Sequence, residues 1–235
     1  MSGPEIETVY EDADLTLRWL PGSTPRMVVV FTGMKRGFGG AEPDEFAASA
    51  SCGGENAVLF VTDRKATWFA APGLWKRAVA MIRTVRRSEG VEEVVSLGNS
   101  MGGFAALLLP RDLRVARAVA FAPQVTMDRD VLIDARWPDV EALYGAAPAR
   151  DVGETVGETR AQYYVAVCAD CPEDQAHAAL MPQLRRVHRL AVPCAGHNPA
   201  RVLREAGVLG DVVGALVRGR KARAERILAG MGAAA

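Results

Sequence analysis

Between Val94 and Leu107 an apolar run, Val94-Val95-Ser96-Leu97, passes directly into Gly98-Asn99-Ser100-Met101-Gly102-Gly103 and on into Phe104-Ala105-Ala106-Leu107. The order predicts a strand, a tight bend and a helix of small residues. A strand that turns sharply into a helix presses backbone against backbone, so the residues two before and two after the bend need almost no side chain. Gly98 and Gly102 meet that demand. The bend puts the Ser100 hydroxyl at a helix N-terminus, where free backbone N–H groups stabilise developing negative charge. The amide of Met101 is the expected donor. A serine in a Gly-rich turn also serves as a helix cap, but capping requires neither the apolar strand upstream nor the extra Gly103.

The rest of the chain alternates in the same manner. Met27 to Phe31, Ala57 to Val61, Val94 to Leu97, Ala118 to Phe121, Tyr163 to Val167 and Arg189 to Val192 are short, mostly unbroken apolar runs. Strands buried on both faces read this way, because helices cover a parallel sheet above and below. Leu15, Leu17 and Trp19 alternate with polar neighbours before the Pro21-Gly22 turn and predict a half-buried strand. Between the runs lie helical patterns. In the clearest, Leu74 to Arg86, the side chains of Leu74, Trp75, Ala78, Val79, Ile82 and Val85 share one face. Strand and helix in alternation predict an α/β fold, a doubly wound and mostly parallel sheet.

From residue 124 to 158 the alternation lapses, and 151 to 158 shows no apolar face; a short lid inserted over the sheet is expected here, within a single domain spanning residues 1–235. The length of 235 residues suits one sizeable core. From Pro199 to Met231 one or two helices are expected, with Val208, Leu209, Val212, Val213, Leu216 and Val217 inward, a face equally able to serve a homodimer. The basic cluster Arg218, Arg220, Lys221, Arg223 and Arg226 is read as a solvated face.

The 28 basic and 28 acidic residues balance. No whole-molecule field then favours nucleic acid or an anionic membrane, and neither is an expected partner. The first residues show no basic stretch followed by an apolar core, and no apolar run approaches the ~18 residues of a membrane span. Cys52, Cys168, Cys171 and Cys194 are too scattered for a disulfide scaffold. Reduced thiols in a cytoplasm are the expectation.

A serine hydroxyl needs a base, and histidine is the usual one near neutral pH. Of the three histidines, His188 falls in a strand-like segment and His177 in a helix-like one, whereas His197 follows the last strand, at the carboxyl end where open α/β sheets place their sites. His197 is the expected base. The carboxylate that orients it should follow the strand Tyr163 to Val167, where Asp170 and Asp174 are both available. Asp170 is favoured because it lies nearer the rigid strand end. Asp174 falls where Pro172 predicts the first turn of a helix, and the helix dipole alone would explain a carboxylate there.

With these residues in place the sequence resembles the α/β-hydrolase superfamily in its small bacterial single-domain form, over nearly the whole chain. The resemblance rests on Gly98-x-Ser100-x-Gly102, on the chain order of Ser100, Asp170 or Asp174, and His197, and on a glycine loop after an early strand. It implies that the loop Phe31-Thr32-Gly33-Met34 supplies a second oxyanion donor, the amide of Met34, with Gly33 beside the substrate. The usual His-Gly pair is here Thr32-Gly33, and the Gly-rich lipase version is missing, which argues against triglycerides and bulky tertiary esters. It further implies cleavage of a small-molecule ester or thioester through a Ser-His-Asp triad and an acyl-enzyme, with no cofactor. An acyltransferase built on the same acyl-enzyme and a non-catalytic binding protein are the alternatives.

Three features compete. Cys168-x-x-Cys171 resembles a redox pair, and with Cys194, His177 and His197 it would make a zinc sphere; structural cysteines are the simpler reading, so no metal is expected. Lys35-Arg36 is read first as solvated loop, with attraction of an anionic substrate group by Lys35 as the functional alternative. Trp137 and Tyr144 either line an acyl pocket or anchor the lid.

Overall fold

A computed structural model describes residues 5–33, 44–136 and 152–232. Met34, Lys35, Arg36, Trp137 and Tyr144 lie outside the described residues, and so do residues 137–151 of the expected lid. Eight strands form one sheet: β1 (Glu7–Glu11), β2 (Leu15–Leu20), β3 (Arg26–Phe31), β4 (Ala57–Asp63), β5 (Glu93–Asn99), β6 (Arg117–Phe121), β7 (Gln162–Asp170) and β8 (Val187–Ala195). Their order is β1-β2-β4-β3-β5-β6-β7-β8. β2 runs antiparallel to β1 and β4, and every neighbouring pair from β4 to β8 is parallel. The helices are α1 (Ala47–Ser51), α2 (Leu74–Ser88), α3 (Met101–Asp112), α4 (Val152–Glu158), α5 (Pro172–Ala179), α6 (Pro199–Glu205), α7 (Leu209–Val217) and α8 (Lys221–Gly232).

The unbroken apolar strands have the expected cause. Along β3, Met27, Val29 and Phe31 enter one core while Val28 and Val30 enter another on the opposite face. The first core takes Leu74, Trp75 and Ile82 from α2 and Phe104 and Leu107 from α3. The second takes Leu203 from α6, Val212, Val213 and Leu216 from α7, and Leu228 from α8. Each fully buried aliphatic side chain contributes roughly 1.5–3 kcal/mol, so a two-faced sheet collects this gain twice per pair of residues. The apolar face of residues 208–217 is thus largely consumed by the chain's own core.

Three differences from the sequence reading have physical reasons. Residues 199–232 fold as three short helices rather than one or two. The stretch 152–158 is helical, and its Val152 and Val156 are fully buried in the first core; two valines four apart suffice for about two turns, too few to show as a periodic pattern. The edge strand β1 is mostly exposed and carries no apolar alternation by which to recognise it. Among the described residues no helix is long and apolar enough to cross a membrane.

The topology fixes where a site can form. Phe31 pairs with Gly98 and Asn99 with Phe121, so the loops after β3, β5 and β6 leave the sheet side by side. Between β3 and β5 the chain stops adding strands on one side and starts on the other, a reversal that opens a crevice beyond the carboxyl ends. The approach there is very close. A Cβ on Gly98 would lie 2.2 Å from the Gly102 carbonyl carbon, and one on Gly102 would lie 2.1 Å from the Phe31 carbonyl oxygen. Gly98→Ala and Gly102→Ala are each expected to cost about 3 kcal/mol or more in urea denaturation, because backbone would have to move. Gly157→Ala in α4, where a Cβ meets nothing within 4 Å, should instead gain about 0.5–1 kcal/mol. Equal effects at all three positions would show that the bend is not sterically closed.

Candidate active site

Ser100 joins β5 to α3 with φ 54° and ψ −121°, a conformation costing a non-glycine residue on the order of 1–3 kcal/mol. The Ser100 amide donates to the Phe121 carbonyl at 2.8 Å, which ties the bend to the end of β6. As the residue preceding α3, Ser100 makes no side-chain capping bond; its hydroxyl points elsewhere. Met101 is the first residue of α3, where the backbone N–H has no partner within the helix.

The hydroxyl meets His197. Ser100 Oγ lies 2.9 Å from His197 Nε2, and His197 Nδ1 lies 2.7 Å from Asp174 Oδ1. Ser100 is 8% exposed and Asp174 is wholly buried. His197 stands just past β8, immediately before Asn198, whose side chain accepts the Arg201 amide and starts α6. Asp174 comes from the first turn of α5, begun by Pro172.

The preference for Asp170 is corrected by this geometry. β7 continues through Asp170, whose backbone pairs with Ala195 while its side chain is exposed. Nearness to a rigid strand end was the wrong criterion, since the first turn of α5 carries its carboxylate beneath the imidazole. His177 and His188 stay away from Ser100. His177 is buried in α5 and reaches Asp134 Oδ2 at 3.2 Å, and His188 stacks on Tyr164 and meets Gln162.

Three residues that sequence reasoning missed complete the surroundings. Arg136 holds Asp134 in a two-pronged contact of 2.8 and 2.6 Å, and its Nη1 lies 2.9 Å from Asp174 Oδ1 and 3.1 Å from His197 Nδ1. Burial opposes ionisation of Asp174, but the hydrogen bonds and charges of His197 and Arg136 outweigh it and hold the carboxyl below the usual range. Burial likewise opposes charge on Asp134 and Arg136, and their mutual pairing wins for both. Gln124, fully buried just after β6, places its Oε1 3.3 Å from Ser100 Oγ and its Nε2 3.1 Å from His197 Nε2. Nothing local in the sequence marks Arg136 or Asp134. Gln124 had a usable signal, since it follows the strand expected beside the bend.

The loop after β3 is only partly described. Thr32 is buried, and the Gly33 amide donates to Glu45 Oε2 at 3.2 Å. Met34 and Lys35 lie outside the described residues. Burial drives the Glu45 carboxyl up to about 7, against the lowering effect of the Gly33 bond.

The expectation of reduced thiols is corrected for two of the four cysteines. Cys168 in β7 and Cys194 in β8 form a disulfide. Cys168 is therefore partnered with Cys194 and not with Cys171, which is a free, buried thiol pushed up chiefly by burial. Among the described residues no group of three or more His, Cys, Asp or Glu is arranged to hold a metal ion.

No protein-family model matches the sequence, and no curated protein matches it. Solved structures do. A capsule O-acetyltransferase of Neisseria meningitidis serogroup A superposes with a TM-score of 0.63 at 12% identity, covering 87% of this chain and 92% of that one. The esterase Est22 gives 0.61 at 15% identity over 94% and 81%. The Pyrococcus furiosus esterase Pf2001 gives 0.59 at 15% identity over 92% of each. The fold is that of the α/β-hydrolases.

Glu45 provides a test of the loop beside the bend. Its folded-state pKa of about 7 stands above the ordinary 4.5, so its stability contribution is full below about pH 4.5 and is lost as pH rises through 7. Glu45→Gln should therefore leave stability unchanged near pH 4 and raise it by on the order of 2 kcal/mol above pH 8, read by denaturant titration across that range. A gain of the same size at every pH would show that the carboxyl does not titrate there.

Proposed function

We propose that the chain is a serine hydrolase of the esterase or thioesterase type, acting through an acyl-enzyme on Ser100. The observation that carries the reading is the unbroken chain of contacts from Ser100 Oγ to His197 Nε2 at 2.9 Å and from His197 Nδ1 to Asp174 at 2.7 Å, set at a strained bend. The structural neighbours, esterases and an O-acetyltransferase, work in the same chemistry.

With Nδ1–H donating a hydrogen bond to the Asp174 carboxylate, the imidazole presents its Nε2 lone pair to the serine. His197 takes the Ser100 proton as Oγ bonds to the acyl carbon. The negative oxygen faces the Met101 amide, with the Met34 amide as the second donor in this reading. His197 then returns the proton to the departing alkoxide or thiolate. In the second half an incoming hydroxyl gives its proton to His197, its oxygen bonds to the acyl carbon, and Ser100 Oγ leaves and recovers a proton. Asp174, held ionised by Arg136 and His197, fixes the tautomer throughout. The segment after Gln124 bounds the acyl group, and the substrate is a small acyl ester or thioester.

A fluorophosphonate probe followed by mass spectrometry should place the adduct on Ser100, with no labelling of Ser100→Ala and at most slow labelling of His197→Ala. Asp174→Asn should lower ester turnover by roughly ten thousand-fold, and Asp170→Asn should leave it within about twofold, as for an ordinary exposed position. An adduct elsewhere, or the reverse ranking of the two aspartates, removes the reading.

A further inference from the structure

Among the described residues, Gln124 is a buried group that touches both Ser100 and His197 and that the steps above do not use. It is placed with little freedom. β6 ends at Phe121, Ala122 turns with φ 42°, Pro123 follows, and the side chain that comes next has no solvent exposure. Its carboxamide spans the pair, with Oε1 3.3 Å from Ser100 Oγ and Nε2 3.1 Å from His197 Nε2.

The histidine nitrogen that faces the serine has one lone pair and can accept one hydrogen bond at a time. Among the described residues two donors compete for it in the free enzyme, the Ser100 hydroxyl at 2.9 Å and the Gln124 amide at 3.1 Å. Both are tethered, so the serine competes on equal terms and acylation proceeds. Acylation changes the contest, because Ser100 Oγ then carries the acyl group and has no hydrogen to give. Gln124 stays in place as a tethered donor, and its competitor is now a free water. That water has to sit between the acyl carbon and His197 Nε2 to react, and the amide flanks both. A free water must displace a fixed, desolvated donor, and tethered groups hold effective concentrations that free ones do not match. An acceptor hydroxyl belonging to a bound molecule escapes this handicap, because its own binding contacts hold it in place.

We propose that Gln124 is a specificity-determining residue that slows attack of water on the acyl-enzyme and so favours transfer of the acyl group to the hydroxyl of a bound alcohol or sugar. The proposal rests on the acyl-enzyme reading above. Its steps balance without another reactant: the ester C–O bond to Ser100 breaks, the new C–O bond to the acceptor forms, and the acceptor proton passes through His197 to Ser100.

The test uses the whole chain with p-nitrophenyl acetate, with and without glycerol as the acceptor. Intact mass follows the acetyl-enzyme, and glycerol acetate and free acetate are quantified as products. The wild type should show a burst of p-nitrophenol, a persistent acetyl adduct on Ser100, and a deacylation rate that rises with glycerol. Gln124→Ala, and Gln124→Asn in which the amide is drawn back by one methylene, should keep the burst while hydrolytic deacylation speeds up about tenfold and the ratio of glycerol acetate to acetate falls to a similar extent. Gln124→Asn alters the core least and decides the matter if the alanine variant does not fold, as judged by its melting profile. A burst with unchanged or slower deacylation in Gln124→Asn, or an unchanged product ratio, overturns the role of Gln124 and leaves the acyl-enzyme standing. Absence of any acetyl adduct on Ser100, in wild type and variants alike, overturns the acyl-enzyme reading and this proposal with it.

Discussion

The structure depends on how closely three stretches of backbone approach one another at the end of β5. Gly98 lies against Gly102, and Gly102 lies against the Phe31 carbonyl, so β3, β5 and α3 meet with no side chain between them. The closeness forces the backbone of Ser100 into a region that serine seldom adopts. The cost stays local because the surroundings over-determine the bend, through the amide bond to Phe121 and the buried faces of α3. A looser bend would give Ser100 freedom to turn its hydroxyl back onto the helix as a cap. Here that bond is absent, and the hydroxyl is directed at His197.

The imidazole is in turn held by competition at both nitrogens. On the Nδ1 side, Asp174 at 2.7 Å and the Arg136 guanidinium at 3.1 Å make opposite demands: the carboxylate needs a proton on that nitrogen, and the guanidinium needs a lone pair. Arg136 has another use for its hydrogens, because the same Nη1 reaches Asp174 Oδ1. Satisfying both groups on the shared carboxylate leaves the proton on Nδ1, and this is the tautomer that frees Nε2 for Ser100. Asp134 matters here because its two-pronged hold on Arg136 fixes where the guanidinium sits. Two carboxylates around one guanidinium also keep the buried charges from standing unpaired, which would cost several kcal/mol.

How much of this was legible in the sequence depends on whether an interaction is local. The bend was legible because its cause lies within five residues, Gly98 to Gly102, and the sheet because each buried strand carries an apolar residue for both faces, as Met27 to Phe31 does. His197 was legible from its place after the last strand. The choice of Asp174 over Asp170 was not, because it turns on where β7 stops, and the pairing of Asp170 with Ala195 is a relation between strands. Arg136 and Asp134 sit 38 and 40 residues before Asp174 in an irregular stretch, where a charged residue looks like any other on a surface. The helix Val152–Glu158 was hidden by its shortness, with only Val152 and Val156 to declare a buried side.

The cysteines show how a local motif misleads when its geometry is set by distant chain. Cys168 and Cys171 look like a pair in sequence, yet Cys168 is bonded to Cys194 on the neighbouring strand, with 4.9 Å between their Cα atoms. This bond lies where β7 and β8 change register, between Cys168 and Asp170. Ladder hydrogen bonds define the relative position of two strands less well at such a shift, and beyond it β7 leads into the first turn of α5 with Asp174 and β8 into the loop carrying His197. A covalent link spanning 26 residues removes unfolded-state freedom worth roughly 3.5 kcal/mol in the chain-entropy account. Its placement does more than its energy, since it fixes the two strand ends from which the carboxylate and the imidazole must reach each other to within hydrogen-bonding distance.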